Sequence, residues 1–306
     1  MPLISVIINI RNGAVTLREA IDSVLGQSCR DWELILWDDR STDSSASIAA
    51  SYSDSRIRYF LSPEDVPLGK ARNDAIEQAS GDWIAFLDQD DVWLPHKLEK
   101  QIALTHGDVG LIYGRTVRFY PDGWQRDYDH AHEYQLLPEG NIFSLLFSRS
   151  CFIAMSSAVF RRSAIDAIGS IPDAIRIIPD YYLYVAVARK FRVRAVQEVV
   201  CRYRMHPDSM SHTAALEMNW EVLWLVDHWA SQIPAQTVSR TRRRHFTAIA
   251  LEEMRNPSTF ATGLKRLFTQ GSIGSQLKRP FAYLFHVLRR KMRPPYWQRT
   301  GSQPYV

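Results

Sequence analysis

Through the first hundred residues, short apolar runs alternate with stretches of helical spacing. Ile4–Ile10, Glu33–Asp38, Ile57–Ser62 and Trp83–Asp88 are partly β-branched, are bounded by polar or turn residues, and predict strands. Between them, Thr16–Ser28 places Leu17, Ala20, Ile21, Val24 and Leu25 on one helical face. Gly69–Ser80 and Pro95–Thr105 carry the same spacing, and Pro95 suits a first helical turn. Strand–helix–strand repetition predicts an α/β fold with a mostly parallel sheet covered on both faces. Ligands of such sheets bind beyond the carboxyl ends of the strands, which selects Asn9–Asn12, Asp38–Asp43 and Asp88–Asp91.

The pattern then loosens. Val109–Tyr120 and Phe152–Arg162 read as longer strands separated by a polar loop, Asp122–Tyr134, and Arg192–Tyr203 reads as the last strand. From about Ala214 the spacing is helical, interrupted near Pro234, Asn256-Pro257 and Gly271–Gly274. The expected organisation is therefore a domain over residues 1–213 and a helical extension over residues 214–306.

Composition changes this picture in two places. The chain has 306 residues, 46% of them hydrophobic and 23% charged, as in a globular protein. Its three cysteines, Cys29, Cys151 and Cys201, are widely spaced and predict neither a disulfide framework nor a zinc site, which favours a reducing, cytoplasmic setting. The N-terminus lacks the basic and small-residue features of a signal peptide, and no apolar run reaches the ~20 residues that span a bilayer. Charge, however, is divided. Residues 1–218 hold 23 Lys/Arg against 29 Asp/Glu, and residues 219–306 hold 14 against 4, so a net +4 conceals an acidic part and a strongly basic one. The basic part suggests an anionic partner. Within it, Leu277, Phe281, Leu284, Phe285, Leu288 and Met292 share a helical face flanked by Lys278, Arg279, Arg289, Arg290, Lys291 and Arg293. Such a helix can lie in the headgroups of an anionic membrane, through residues 275–306, or pack on the rest of the protein. Arg240–Arg244 could add to the same surface. No nucleic-acid module accompanies the charge, so nucleic acid is not the expected partner.

Chemistry concentrates at the predicted strand ends. Three carboxylates in Asp88-Gln89-Asp90-Asp91 repel one another and call for a compensating cation. Hard divalent ions such as magnesium and manganese bridge one or two carboxylates to substrate phosphates. The competing reading makes Asp90 or Asp91 the cap of the helix near Pro95. Asp38-Asp39 ends another strand, where a carboxylate can accept from a base imide or bind ribose hydroxyls; capping there falls more readily to Ser41 or Asp43. Gly69-Lys70-Ala71-Arg72-Asn73 opens a helix and offers backbone N–H groups and Arg72 to a diphosphate.

The order of these pieces resembles the family 2 glycosyltransferases of GT-A fold. The resemblance runs through Ser5–Asn12, Ala20–Ser28, Trp32–Asp43, Gly69–Ile76, Gly81–Asp91 and Pro95–Leu98, and covers roughly residues 3–212. It implies a Rossmann-like mixed sheet and an inverting transfer from a nucleoside-diphosphate sugar to a hydroxyl acceptor, with a divalent metal, Mn or Mg. Asp39 would contact the donor base, with Asn9 and Arg11 beside it, and Arg72 would lie near base or phosphate. Asp90 would be the principal metal carboxylate, and Asp88 would support metal or donor. Asp180, at the start of Asp180-Tyr181-Tyr182-Leu183-Tyr184, would be the acceptor's general base, although as a local string it also suits a helix cap. Tyr203-Arg204-Met205-His206 and Ser209–Ser211 resemble the closing motif, which brings His206 toward the diphosphate.

Two positions depart from the pattern: Arg11 stands where an aromatic is common, and Pro179 where an acid often precedes the base. The chain has neither a Gln-x-x-Arg-Trp string nor spanning helices, which argues against a processive polysaccharide synthase. Cell-envelope polysaccharide or glycolipid assembly, with a glycan or lipid-linked acceptor, is the expected setting. The alternatives from the residues alone are a metal-dependent nucleotidyltransferase and a non-catalytic nucleotide-sugar-binding or membrane scaffold.

Overall fold

The computed structural model describes residues 3–120, 123, 125–127, 135–148, 151–206, 214–256 and 258–270. It divides into two compact units, Met1–Met205 and His206–Val306. In the first, the strands run β1 (Ile4–Ile10), β2 (Trp32–Asp38), β3 (Ile57–Leu61), β4 (Trp83–Phe86), β5 (Val92–Trp93), β6 (Val109–Phe119), β7 (Gln125–Asp127), β8 (Val159–Arg161) and β9 (Arg192–Arg204). The sheet order is β3-β2-β1-β4-β8-β6-β9-β5, with β7 beside β6.

Strands β3, β2, β1 and β4 pair in parallel. Beyond β4 the sheet becomes mixed: β8 is antiparallel to β4 and β6, while β6 and β9 run parallel. The central strands are nearly continuous apolar runs because both faces are covered. On the first unit's helices the predicted periodicity is realised. Helix α1 (Leu17–Leu25) buries Leu17, Ala20, Ile21 and Val24, and these join Ile4, Val6, Ile8, Leu34 and Leu36 in one core. Helices α2 (Ser45–Ala50), α3 (Leu68–Gln78), α4 (Lys97–Ile102), α5 (Phe143–Ser148), α6 (Arg162–Ile168) and α7 (Pro179–Lys190) follow. The last of these is buried continuously from Tyr181 to Ala188, which is why its helical periodicity is weak in the sequence.

One expected strand is mostly absent. Within 152–162 only Val159–Arg161 pairs as a strand; Met155–Ser157 form a 3-10 turn and α6 starts at Arg162. The two serines explain it. Ser157 Oγ donates back to the Ala154 carbonyl at 2.8 Å, a local bond that competes with the ladder, and Ser156 is committed elsewhere, as shown below.

The described part of the second unit contains α8 (Ala215–His228), α9 (Ala235–Glu253) and α10 (Phe260–Thr269). Glu253 on α9 accepts two hydrogen bonds from Arg266 on α10, and that guanidinium also lies 4.9 Å from the Trp220 ring of α8. Ser209–Ser211 and the amphipathic stretch 277–293 lie outside the described residues. No helix among the described residues is long and apolar enough to cross a membrane.

Candidate functional site

The carboxyl ends of β1, β2 and β4 lie side by side, with Ile10 opposite Asp38 and Ile7 opposite Phe86. Adjacent acids at the end of β2 have different fates. Asp38 is saturated: Oδ1 accepts the Ser41 N–H at 2.7 Å and Oδ2 the Tyr59 hydroxyl at 2.8 Å. Asp39 is 9% exposed, yet its Oδ1 is buried without a hydrogen-bond partner. Burial pushes its pKa up, against the Val66 N–H and the Arg11 guanidinium. Arg11 donates to the Asp39 carbonyl at 2.7 Å and clamps both oxygens of Asp65 at 2.8 and 2.9 Å. Asn9, on β1, buries an Nδ2 with no partner. Asn12 and Arg40, just beyond the two strands, have left-handed backbones at φ 50° and 58°.

A reciprocal amide pair joins this region to the acidic turn. The Arg11 N–H donates to Gln89 Oε1 and Gln89 Nε2 donates to the Arg11 carbonyl, both at 2.9 Å. Gly13 makes room for it, since a Cβ there would stand 2.3 Å from Gln89 Oε1. Gln89 and Asp65 carried no signal in the sequence, because their partners lie 78 and 54 residues away.

At the turn itself the three acids are unlike. Asp88 Oδ1 accepts Arg72 Nη2 at 3.1 Å and keeps 37% of its side chain exposed. Its pKa is pushed up to about 6, by burial first, then by the negative charges of Asp90 and Asp180, with Arg72 opposing. Asp180 thus comes close enough to Asp88 to be felt electrostatically. Arg72, from α3, is 4% exposed and holds Nε and Nη1 buried with no partner. Asp91 points inward: its oxygens accept the Ser156 hydroxyl at 2.6 Å and the Arg204 N–H at 2.9 Å. Ser156 Oγ also receives the Asp88 N–H at 3.0 Å, and Trp93 Nε1 donates to the Ser156 carbonyl at 2.6 Å. Arg204 Nε donates to the Asp90 carbonyl at 2.7 Å, and its Nη2 to Glu19. Asp91, Ser156 and Arg204 therefore hold the backbone on which Asp88 and Asp90 are presented.

Asp43 Oδ1 accepts the Ser45 N–H at the start of α2 at 2.9 Å, as the capping alternative for Asp43 expects, while those at Asp90, Asp91 and Asp180 are not realised. Helix α4 begins at Lys97 with His96 at its cap position, so neither Asp90 nor Asp91 caps it. Ile178 occupies the cap position of α7, and Asp180 lies in the first turn, where a carboxylate is favoured by the helix dipole. His206, half-buried, is the first residue of the second unit.

The donor set suits a divalent ion shared with a ligand. Among the described residues no group of three or more His, Cys, Asp or Glu could hold a metal by itself. Asp88 and Asp90 offer hard oxygens at one turn, and Asp88 keeps part of its side chain exposed. A magnesium-like or manganese-like ion completes such a set with phosphate oxygens and water.

Comparisons with known proteins bear on the family and the fold. Residues 5–169 match the profile of Glycosyl transferase family 2. An uncharacterised glycosyltransferase of Rickettsia typhi is 30% identical over 236 residues, covering 73% of this chain and 70% of the relative. A UDP-Glc:alpha-D-GlcNAc-diphosphoundecaprenol beta-1,3-glucosyltransferase of Escherichia coli is 29% identical over 231 residues, covering 72% and 85%. Among solved structures, the mannosyltransferase of Pyrobaculum calidifontis in complex with GDP-Man and Mn2+ superposes with a TM-score of 0.62 at 18% identity, covering 98% of this chain and 83% of that one. Residues 1–349 of S. aureus TarS in complex with UDP-GlcNAc superpose with a TM-score of 0.59 at 18% identity, covering 88% and 73%. This chain spans 46% of a longer TarS structure. The fold is that of the GT-A glycosyltransferases, and with more than half its length matched to the family profile the chain belongs to glycosyl transferase family 2 and is a glycosyltransferase.

Proposed function

We propose that the protein is an inverting, metal-dependent transferase that moves a sugar from a nucleoside-diphosphate donor to a hydroxyl acceptor. The observation that carries this reading is a set of unmet polar atoms: Asn9 Nδ2 and Asp39 Oδ1 at neighbouring strand ends, and Arg72 Nε and Nη1 on α3 beside Asp88, are buried without partners. A folded chain keeps such atoms at a cost of about 1–3 kcal/mol each, which a bound ligand can relieve.

In this reading Asp39 Oδ1 accepts a base N–H, with Asn9 and Arg11 bordering the same end of the cleft. Arg72 donates to diphosphate oxygens through its open nitrogens. Asp90 and Asp88 hold the divalent ion. When bound, that ion offsets the charge that develops on the departing diphosphate. Asp180 takes the proton of the acceptor hydroxyl as its oxygen attacks the anomeric carbon opposite the diphosphate, which inverts that centre. His206 approaches the diphosphate from the segment after β9. The E. coli relative is named for an acceptor linked to diphosphoundecaprenol, and by analogy we assign this protein a glycan or lipid-linked acceptor in cell-envelope assembly, on the cytoplasmic side.

The test is turnover of UDP-Glc, UDP-GlcNAc and GDP-Man with manganese or magnesium. Release of nucleoside diphosphate with inverted anomeric configuration is expected, and Asp90→Ala should lower it by about 10³-fold or more. Release of pyrophosphate, a retained configuration, or full activity in saturating EDTA would sink the reading. Peripheral membrane association through 275–306 is a separate proposal, resting on the basic amphipathic spacing. Sedimentation with anionic liposomes should fall when that segment is removed; equal binding by both forms refutes it.

A further inference from the structure

The acceptor base and the donor-binding arginine come from distant parts of the chain, and something must fix one against the other. Asp180 follows a connection that leaves α6 at Gly169, where a left-handed backbone at φ 77° stops the helix. That connection is fastened to α3 at two places. Asn73 Nδ2 donates to the Ile171 carbonyl and the Ile171 N–H donates to Asn73 Oδ1, both at 3.0 Å. One turn earlier on the same helix, Gly69 lies against Ile175, so that an added Cβ would stand 2.6 Å from the Ile175 carbonyl oxygen. Ile171 and Ile175 are both buried, and the Ile175 N–H closes a turn on the Pro172 carbonyl at 2.9 Å.

Spacing on α3 gives these contacts their meaning. Positions 69 and 73 share one helical face, and 72 adjoins it. The same stretch of helix therefore grips the base-bearing connection through Gly69 and Asn73 and reaches Asp88 through Arg72 at 3.1 Å. Neighbouring positions of one helix thus hold both the connection that leads to Asp180 and the Arg72–Asp88 pair.

We propose that Asn73 and Gly69 are positioning residues that set the acceptor-side base, Asp180, at its working distance from the donor's diphosphate corner; this rests on the reading of Asp180 given above. The Asn73 amide is committed to Ile171, and Gly69 packs against Ile175. A two-point amide at 73 fixes height along the connection, and the missing side chain at 69 allows backbone to approach backbone. Asparagine suits the first role because one planar group both donates to and accepts from a single residue's main chain.

The test uses the full chain, manganese and UDP-Glc, UDP-GlcNAc and GDP-Man, with nucleoside diphosphate release as the rate and calorimetric UDP–manganese binding as the control. Asn73→Ala removes the amide, and Gly69→Ala leaves every side-chain bond intact while displacing the connection. Each should lower kcat about tenfold or more and change UDP affinity by less than about twofold. Each is then combined with Asp180→Asn. If Asn73 acts through Asp180, the double variant is no slower than Asp180→Asn alone, because a misplaced base and a missing base are the same loss. Losses that multiply, or a fall in UDP affinity that matches the fall in rate, overturn the positioning role and leave the base assignment standing. Full activity of Asp180→Asn overturns the base assignment, and the positioning role falls with it.

Discussion

Strand β2 carries a buried carboxylate near each end, and the two are opposites. Glu33, near the start, is 7% exposed and fully engaged: it accepts from Ser5 Oγ at 2.7 Å, from the Ser80 N–H and hydroxyl at 2.7 Å each, and from Arg58 at 2.9 Å. Burial pushes its pKa up, but these donors more than reverse that, and the net direction is down. Asp39, just past the other end, is buried to a similar degree with one oxygen unmet, and its pKa goes up. Burial alone does not mark a site. The distinction between these two carboxylates lies in whether the fold has supplied the group's partners, as it has for Glu33 and has not for Asp39 Oδ1.

That contrast can be broken by matched truncations. Glu33→Ala should have the larger effect on folding, about 3 kcal/mol in chemical denaturation, because it strands the Ser5 and Ser80 hydroxyls. Its UDP affinity should be that of the wild type. Asp39→Ala should change stability by less than about 1 kcal/mol and weaken UDP binding roughly tenfold, the loss of one charge-assisted hydrogen bond. A pH series sharpens the same point. The depressed Glu33 pKa contributes stability that is present above its unfolded value and lost as pH falls through the folded one. The raised Asp39 pKa has the reverse sign, costing stability at neutral pH and less as pH falls. If Asp39→Ala destabilises as much as Glu33→Ala while UDP still binds, the comparison fails.

How much of this was legible in the sequence follows the range of the interactions. The parallel half of the sheet and α1 are written in periodicity, since each strand and helix face buries a regular set of positions. The acidic turn was legible as a cluster, but its division of labour was not. Asp90 and Asp91 are chemically identical neighbours, and only Ser156 and the Arg204 N–H, 65 and 113 residues away, show that Asp91 is a buried strut. The same distance hid the break in the expected strand at 152–162, where Ser156 serves that strut. Arg204, in the string that resembles the closing motif, is engaged through its guanidinium by the Asp90 carbonyl and Glu19, partners 114 and 185 residues away. The two-residue β5 was invisible because its definition is its pairing with Cys201 and Arg202 on β9.

Lys97 offers the smallest and most selective test, because it is an incompletely satisfied buried charge that is not among the proposed donor-site residues. Its side chain is fully buried, donates to Gln101 Oε1 at 2.6 Å and lies 4.0 Å from the Trp93 ring centroid, with no carboxylate bonded to it. Burial pushes its pKa down to about 7 from an ordinary 10.5. Between those values the unfolded chain binds more protons than the folded one, so the Lys97 contribution favours folding increasingly as pH rises. Below pH 7 both states are protonated and the cost is complete. Relative to Lys97→Met, the wild type should therefore gain stability from pH 7 to pH 9, with a slope of at most about 1.4 kcal/mol per pH unit. UDP affinity should be equal in both. A stability difference that stays flat across that range would show that Lys97 keeps its charge in the core. A pH-dependent difference with unchanged binding would show that an underfurnished buried group marks a ligand site only where strand ends open to receive one.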